Sequence, residues 1–488
     1  MTSLQPDIRF PSRAGLPFGG SWVNPVAGSI VTSVNPANGR PLATFAEAGA
    51  GDVDAVVAAA KAGFSAWRRS SPPERAAALR QMAGVLRDNA EELAILEAAD
   101  CGNPVRNARI DVLIAAASLE FFAGLVTEAK GDTIPVGPDA LNFTRREPRG
   151  VVARIVAFNH PLMFVALKAA APLAVGNSVI IKPAEQAPLS ALRFAELIDG
   201  ILPPGVFNIV PGDRAFGAGL VSHPGVAMVG LVGSIATGKA VLRGAAETIK
   251  PVVLELGGKN ALIACADADP EVVARAMITG MNFNWCGQSC GSTSRAFLHA
   301  SIHDDVVERL VGEVASFVPG NPLDPATTMG SLISRAHYDR VLDYIGSGEA
   351  EGARMLVGGP VEGDASLAEG AFVSPTIFVD VTSAMRIARE EIFGPVLSVL
   401  KWSDEDAMLE EVNALEYGLT CSIWTRDISA AHRLSHEVEA GQVWINDVGK
   451  HITGAPFGGY KQSGLGREGG IEELYACTQE KNVYVNLT

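Results

Sequence analysis

Short apolar, β-branched runs alternate with longer stretches of helical spacing along most of the chain, and this alternation predicts an α/β fold with largely parallel sheet. Between Asp52 and Asp100 the spacing is helical. It breaks at Ser70-Ser71-Pro72-Pro73, which reads as a helix start with Glu74 in its first turn. From Gly150 onward the units become strand, turn and helix. Gly150–Val156 reads as a strand, Pro161–Leu173 as a helix, and Ser178–Lys182 as a strand stopped by Pro183. Val206–Val210 and Ala227–Val232 are two further strands. That order is doubly wound, which puts ligands at the carboxyl ends of the strands. A second α/β region runs from about Gly258 to Gly470, and Lys481–Leu487 reads as a closing strand suited to pairing with another subunit.

At 488 residues the chain exceeds what one core usually serves, so two or three substructures are expected. The net charge of −15, from 39 basic and 54 acidic residues, argues against nucleic acid or an anionic membrane as the main partner. The opening MTSLQPDIRFPSRAG carries charges and prolines where a signal peptide needs an apolar stretch. Val151–Phe158 and Ala169–Val175 fall well short of the roughly 20 residues that span a bilayer. Six cysteines (Cys101, Cys265, Cys286, Cys290, Cys421 and Cys477) make no disulfide framework in so long a chain. The expectation is a reduced, cytoplasmic protein in which a cysteine is free to act as a thiolate.

The sharpest chemical feature is Phe283-Asn284-Trp285-Cys286-Gly287-Gln288-Ser289-Cys290. Gly287 frees the backbone shortly before a cysteine flanked by Ser289 and Gly291, and small neighbours let a carbonyl carbon approach the sulfur. Taken alone, Cys290 reads more readily as a buried apolar thiol. Upstream, Glu255 ends an apolar strand before Gly257-Gly258-Lys259. A carboxylate there is costly unless it works or is paired, and it could take a proton from a thiol or a water. In Ala157-Phe158-Asn159-His160-Pro161 a strand gives way to a helix, and the Asn159 amide could donate to an oxyanion or merely cap the helix.

For a cofactor there is no GxGxxG, but Gly233-Ser234 follow a strand and open a helix whose N–H groups would suit a pyrophosphate. Gly233, Gly238 and Lys239 nearly spell a P-loop, yet Ala240 stands where the Mg²⁺-binding hydroxyl belongs. Lys182 and Glu185, after another strand, could reach ribose hydroxyls or simply pair with each other. His432 and His436 have zinc-site spacing without the glutamate of HExxH, and Cys286 with Cys290 has no further ligands nearby, so no metal site is expected. A redox link between those two cysteines is the other reading of their spacing.

Together these segments resemble the aldehyde dehydrogenase superfamily over almost the whole chain. The match takes in Leu16–Trp22, Asn35-Pro36-Ala37, Gly176-Asn177-Ser178 through Glu185, Leu254–Lys259 and Gly287–Cys290. It continues through Glu390–Pro395, Pro456–Lys461 and Ser463–Glu468. The resemblance implies a cofactor domain at 1–126 and 149–257 and a catalytic domain at 258–470. It also implies bridging and oligomerisation segments at 127–148 and 471–488. By the same resemblance Cys290 is the nucleophile, Glu255 the general base, and Asn159 with the Cys290 N–H the oxyanion hole. Lys168 and Glu468 match a proton-exit pair. NAD, or NADP, would be held by Val156, Phe158, Lys182, Glu185, Gly212, Gly233, Ser234, Glu391 and Phe393. An aldehyde substrate would be lined by His160, Phe164, Leu167, Ser289, His451 and Phe457. A homodimer or homotetramer is implied.

The chain departs from the family pattern at several points. Phe158 stands where Trp is usual, His160 where an aromatic ring often lines the tunnel, and Leu167 in place of a frequent Trp; Ala187 replaces a common Thr. Losing the tunnel ring weakens a trimethylammonium substrate, which wants cation–π caging. Lys450 and His451 suit either a polar aldehyde or an open entrance. The rival readings are a coenzyme A-acylating enzyme, which would commonly lack Glu255, a semialdehyde dehydrogenase of amino-acid breakdown, and a non-catalytic relic, which should have lost Cys290 or Glu255.

Overall fold

The structure, a computed structural model, describes residues 7–26 and 29–488; the first six residues of the N-terminal stretch considered above lie outside the described residues. Ser71 starts a helix at Pro72–Asp88 as its neighbours predict. Its Oγ accepts from the Glu74 N–H (3.4 Å) while the Glu74 carboxylate accepts from the Ser71 N–H (2.6 Å). The region to Asp100 breaks a second time, at Asn89. That residue ends one helix and opens the next, Ala90–Cys101, its amide donating to the Val85 carbonyl at 2.8 Å.

One sheet has six strands in the order Gly464–Leu465, Val252–Glu255, Met228–Val232, Val151–Ile155, Ser178–Lys182, Phe207–Ile209. All neighbours are parallel except the short Gly464–Leu465 edge. The chain starts at Val151–Ile155, steps outward through two strands, then returns to the other side, so the winding reverses between Val151–Ile155 and Met228–Val232. A crevice forms beyond strand ends at such a reversal. Three predicted strands are shorter at their ends than their apolar runs: Gly150 and Val156 fall outside Val151–Ile155, Val206 and Val210 outside Phe207–Ile209, and Ala227 outside Met228–Val232. The Pro161–Ala174 helix is apolar on nearly every side and buried accordingly, with Lys168 its one charge.

A second sheet of seven strands runs Arg354–Pro360, Val373–Val379, Val396–Trp402, Arg295–His299, Ala261–Ala264, Thr420–Trp424, Gln442–Ile445. Only Arg354–Pro360 is antiparallel to its neighbour. Glu255 closes a strand of the first sheet and Ala261 opens one of the second, so Leu256–Asn260 crosses between them. A third sheet pairs Thr478–Asn486 with Ala140–Pro148 and Thr133–Ile134. The closing strand begins at Thr478, earlier than its apolar alternation predicts, because the polar Thr478-Gln479-Glu480 stretch is drawn in by continuous pairing with Pro148, Glu147 and Arg146. Among the described residues no helix is long and apolar enough to cross a membrane.

Candidate active site

The loop between the Pro270–Gly280 helix and the Arg295–His299 strand turns through three left-handed residues, Asn282, Cys286 and Gly287. It is held from several sides. The Gln288 side-chain oxygen accepts from the Ile333 N–H at 3.0 Å, and Asn260 Nδ2 donates to the Cys290 carbonyl at 2.7 Å and the Ser292 carbonyl at 2.9 Å. Cys290 is thereby fixed at the amino end of a central strand of the second sheet. It is the one cysteine of the six that is not buried. Although solvent reaches it, the sulfur is deeply set. Burial first, then the charges of Glu255 and Glu391, push its thiol up to about 12, with Lys168 pulling the other way.

Glu255 ends its strand buried, with neither carboxyl oxygen hydrogen-bonded among the described residues. Burial and the nearby Glu468 charge hold this carboxyl well above the ordinary range, against Lys168 and Arg467. An orphaned buried carboxyl is costly, so its position is informative. Gly257 and Gly258 are closely packed. A Cβ on Gly257 would lie 2.0 Å from Glu391 Oε2, and one on Gly258 would lie 2.8 Å from the Cys290 carbonyl oxygen. Glu391 Oε1 accepts from the Gly258 N–H at 3.0 Å, which brings the Glu391–Phe393 segment onto the same turn. Phe393 adopts a left-handed backbone and stacks edge-on to Phe158, ring centroids 5.7 Å apart.

Asn159 is buried at the carboxyl end of the Val151–Ile155 strand. His160, not Asn159, occupies the cap position of the following helix, and its side chain does not cap it; the first-turn Leu162 N–H donates to Glu97 Oε2 instead. The Asn159 amide makes no hydrogen bond among the described residues, while its carbonyl accepts from Asn103 Nδ2 at 2.9 Å. Four residues on, Asn107 Nδ2 donates to the Asn284 carbonyl at 2.8 Å, and the His160 and Trp285 rings lie 5.3 Å apart. One segment thus braces both the Asn159 turn and the nucleophile loop.

Behind Glu255 lies a buried ionic cluster. Lys168 is hydrogen-bonded to Glu468 Oε2, and Arg154 reaches Glu468 Oε1 at 2.9 Å and Glu473 Oε1 at 3.2 Å. Burial works against the Glu468 charge, but Lys168 and Arg154 hold its carboxyl below the usual range. Glu473 is pushed up to about 7 by burial and by Glu468.

The remaining residues divide into two groups. Lys182 Nζ pairs with Glu185 Oε1 at 3.1 Å, and the Val156 N–H donates to the Lys182 carbonyl at 3.1 Å. Gly212 bridges to Ala48, and Ser234 caps the Ile235–Ala246 helix, accepting from the Thr237 N–H at 3.2 Å, while the Gly233 N–H donates to the Glu255 carbonyl at 3.0 Å. On the other side, Phe164 packs 5.5 Å from the His160 ring, with Lys168 Nζ over its face. His451 is exposed and lies 5.0 Å from Phe457. Leu167 is half-buried, and Ser289 Oγ sits 3.5 Å from Asn282 Nδ2. His432 and His436 are exposed on the Ile428–Glu437 helix, and Cys286 is buried against the Ser331 carbonyl.

Sequence reasoning missed Arg154, Glu473, Asn103, Asp111 and Glu47. Asp111 had a signal: it shares a helical face with Ala108, Val112 and Ala115, all buried. Arg154, central in an otherwise apolar strand, had one too.

A sequence model of the aldehyde dehydrogenase family matches residues 22–483. The aldehyde dehydrogenase tropH of Talaromyces stipitatus is 50% identical, over 98% of this chain and 94% of its own. The structure of an aldehyde dehydrogenase from Bacillus cereus, an NAD+ complex, superposes with a TM-score of 0.94 at 40% identity, covering 98% of each chain. A mutant of the P. syringae indole-3-acetaldehyde dehydrogenase AldA, in complex with NAD+ and IAA, gives a TM-score of 0.95 at 36% identity over 99% of this chain and 98% of that one. With the match running nearly end to end in sequence and in three dimensions, this chain belongs to the aldehyde dehydrogenase family.

Proposed function

We propose that the protein oxidises an aldehyde to the carboxylic acid with NAD+, and less readily with NADP+, through a thioester on Cys290 that water cleaves. The observation that carries this reading is Glu255: a buried carboxyl, free of hydrogen bonds among the described residues, whose charge the one accessible cysteine feels. A structural carboxylate would be paired; an unpaired one is suited to moving a proton.

In this reading the Cys290 thiol gives its proton to solvent and Sγ bonds to the aldehyde carbon. The carbonyl oxygen becomes an oxyanion facing the Asn159 amide and the Cys290 N–H, and its collapse breaks the C–H bond, releasing hydride and leaving a thioester. A bound nicotinamide would supply the hydride acceptor and a positive charge beside the sulfur. Glu255 then takes a proton from water, whose oxygen attacks the thioester carbon. The C–S bond breaks, the acid leaves, and the thiolate is restored. Lys168 and Glu468, tied together behind Glu255, offer its proton a way out. Retention of Glu255 favours water over coenzyme A as acceptor.

Fit to a dinucleotide is supported at three points. The Ser234-capped helix offers its first-turn N–H groups to a pyrophosphate, and Glu391 borders the turn at Gly257 and Gly258. Lys182 and Glu185 suit ribose hydroxyls. Glu47 is raised above the ordinary carboxylate range by burial and by the charges of Glu185 and Asp213, so three acidic groups meet where a 2′-phosphate would add more negative charge. That favours NAD+. A homo-oligomer is supported by the third sheet, which exposes Ile134 and Leu141 and ends in a long edge strand, Thr478–Asn486, that exposes Tyr484 and Val485.

An aldehyde panel assayed with each dinucleotide, with and without coenzyme A, beside Cys290→Ala, tests the reading. The variant is expected to bind dinucleotide and make no acid; unchanged turnover would overturn the assignment.

A further inference from the structure

We propose that His160, oriented by Asp111, is a specificity-determining residue that selects flat aldehydes bearing a hydroxyl group. This deepens, and rests on, the aldehyde oxidation at Cys290 proposed above. Asp111 is 1% exposed, midway along the Val105–Gly124 helix, and its one hydrogen-bond partner among the described residues is His160 Nδ1, at 2.7 Å. A buried carboxylate pointing at a neighbouring ring is a costly arrangement for packing alone. The next carboxyl, Glu97, accepts from the Leu162 N–H and the Ser190 hydroxyl and makes no hydrogen bond to the ring among the described residues. His451 is the other titratable group that faces His160.

The chemistry follows from which atoms are left over. An ionised carboxylate only accepts, so Nδ1 of His160 carries the hydrogen, and in the neutral ring Nε2 presents a lone pair. Nε2 has no partner among the described residues. Next to it, at 5.3 Å between ring centroids, is Trp285, whose indole Nε1–H is buried and also without a partner. One orphan acceptor and one orphan donor thus lie on adjoining rings, on the loop and turn that carry Cys290 and Asn159. A hydroxyl both donates and accepts, so a single substrate hydroxyl satisfies both. A carboxylate would meet the indole but confront the Nε2 lone pair, and an alkyl group leaves both unpaired. Phe164, edge-on to His160 at 5.5 Å, and Phe457 beside His451 add flat apolar surface, which suits an aromatic or conjugated skeleton.

The test compares benzaldehyde with its 3-hydroxy, 4-hydroxy and 4-carboxy derivatives on the intact enzyme, with the dinucleotide saturating. The better hydroxy isomer is expected to exceed benzaldehyde in kcat/KM by about tenfold, mostly through KM. His160→Phe keeps a ring but no nitrogen, and the ratio should fall to near one. His160→Gln keeps an acceptor and should retain part of it. Asp111→Asn would donate to Nδ1 and drive the hydrogen onto Nε2. Preference should then move from the hydroxy towards the carboxy substrate, whereas a merely structural Asp111 would lower all four rates alike. An enzyme that oxidises benzaldehyde and its hydroxy derivatives equally, or keeps its preference in His160→Phe, overturns the inference while leaving aldehyde oxidation standing. Failure to oxidise any aldehyde of a broad panel, by a folded and dinucleotide-binding protein, sinks both.

Discussion

Gly287 and Gly394 meet backbone to backbone: a Cβ on Gly287 would sit 2.2 Å from the Gly394 carbonyl oxygen. Gly287 begins the last turn before Cys290, and Gly394 follows Glu391 and Phe393, so this contact sets the nucleophile loop against a segment expected to help hold the dinucleotide. Gly287 also has φ of +66°, where an L side chain is strained. Gly287→Ala is therefore expected to displace one segment from the other, cutting kcat/KM by about a hundredfold, as misplacement near 1 Å can do. Steady-state kinetics beside dinucleotide binding and circular dichroism will check it. A folded variant with near-normal turnover would show that the two segments can part without cost.

Replacing Glu255 by Gln preserves shape and removes the base. The first half-reaction needs only Cys290 and the oxyanion donors, so the variant should release about one equivalent of reduced dinucleotide per site and then stall. Steady turnover is expected to fall by about a hundred- to ten-thousand-fold. Rapid-mixing absorbance with intact-mass detection of the acylated chain distinguishes this from a slow first step, which would give neither burst nor adduct.

Glu468 tunes that base from behind. Its negative charge raises the Glu255 carboxyl, and it occupies Lys168, whose positive charge lowers it. Glu468→Gln removes the first effect and frees Lys168 to strengthen the second, so both push Glu255 downward. Since hydrolysis requires ionised Glu255, the limb of the pH–rate profile that rises with pH should move to lower pH. A limb that stays put, or moves to higher pH, would mean that Glu255 does not govern it. Arg154 retains Glu473 as a partner in this variant, which limits the structural damage.

What could be read in the chain beforehand divides by sequence separation. The Ser178–Lys182 strand was legible to the residue, because an unbroken β-branched run lies between Asn177 and Pro183. The break at Asn89 was not, since it has neither proline nor glycine and the apolar spacing continues across it. The candidate nucleophile, base and oxyanion donor each stood out through their neighbours: small residues around Cys290, glycines after Glu255, a strand-to-helix turn at Asn159. Their supporting groups did not, because Arg154 meets Glu468 across 314 positions and His160 meets Asp111 across 49. No local pattern encodes such a pairing. All that is visible is a charge on a buried face, as at Asp111, whose partner only the fold supplies.

Glu97 offers a test of these buried charges that does not depend on catalysis. Its Oε2 accepts from the Leu162 N–H and the Ser190 hydroxyl, both at 2.8 Å, while Oε1 has no partner among the described residues. Burial and Asp111 raise its carboxyl from 4.5 to about 8. The unfolded chain gives up this proton near 4.5 and the folded one only near 8, so between those values unfolding releases a proton. The stabilisation Glu97 provides at low pH is therefore lost progressively as pH rises through that window, by an amount on the order of a few kcal/mol. Glu97→Gln keeps the oxygen that Leu162 and Ser190 use, turns an amide towards the Asp111 charge, and does not titrate. Its Tm relative to the parent should thus climb steadily from pH 5.5 to pH 8. Asp100 and Glu473, each raised to about 7, titrate with the same sign and remain, so the variant will still lose some stability on the way up. A Tm difference that is constant across this range would mean that Glu97 is already ionised in the folded protein, and that its pocket holds a cation or water enough to support the charge.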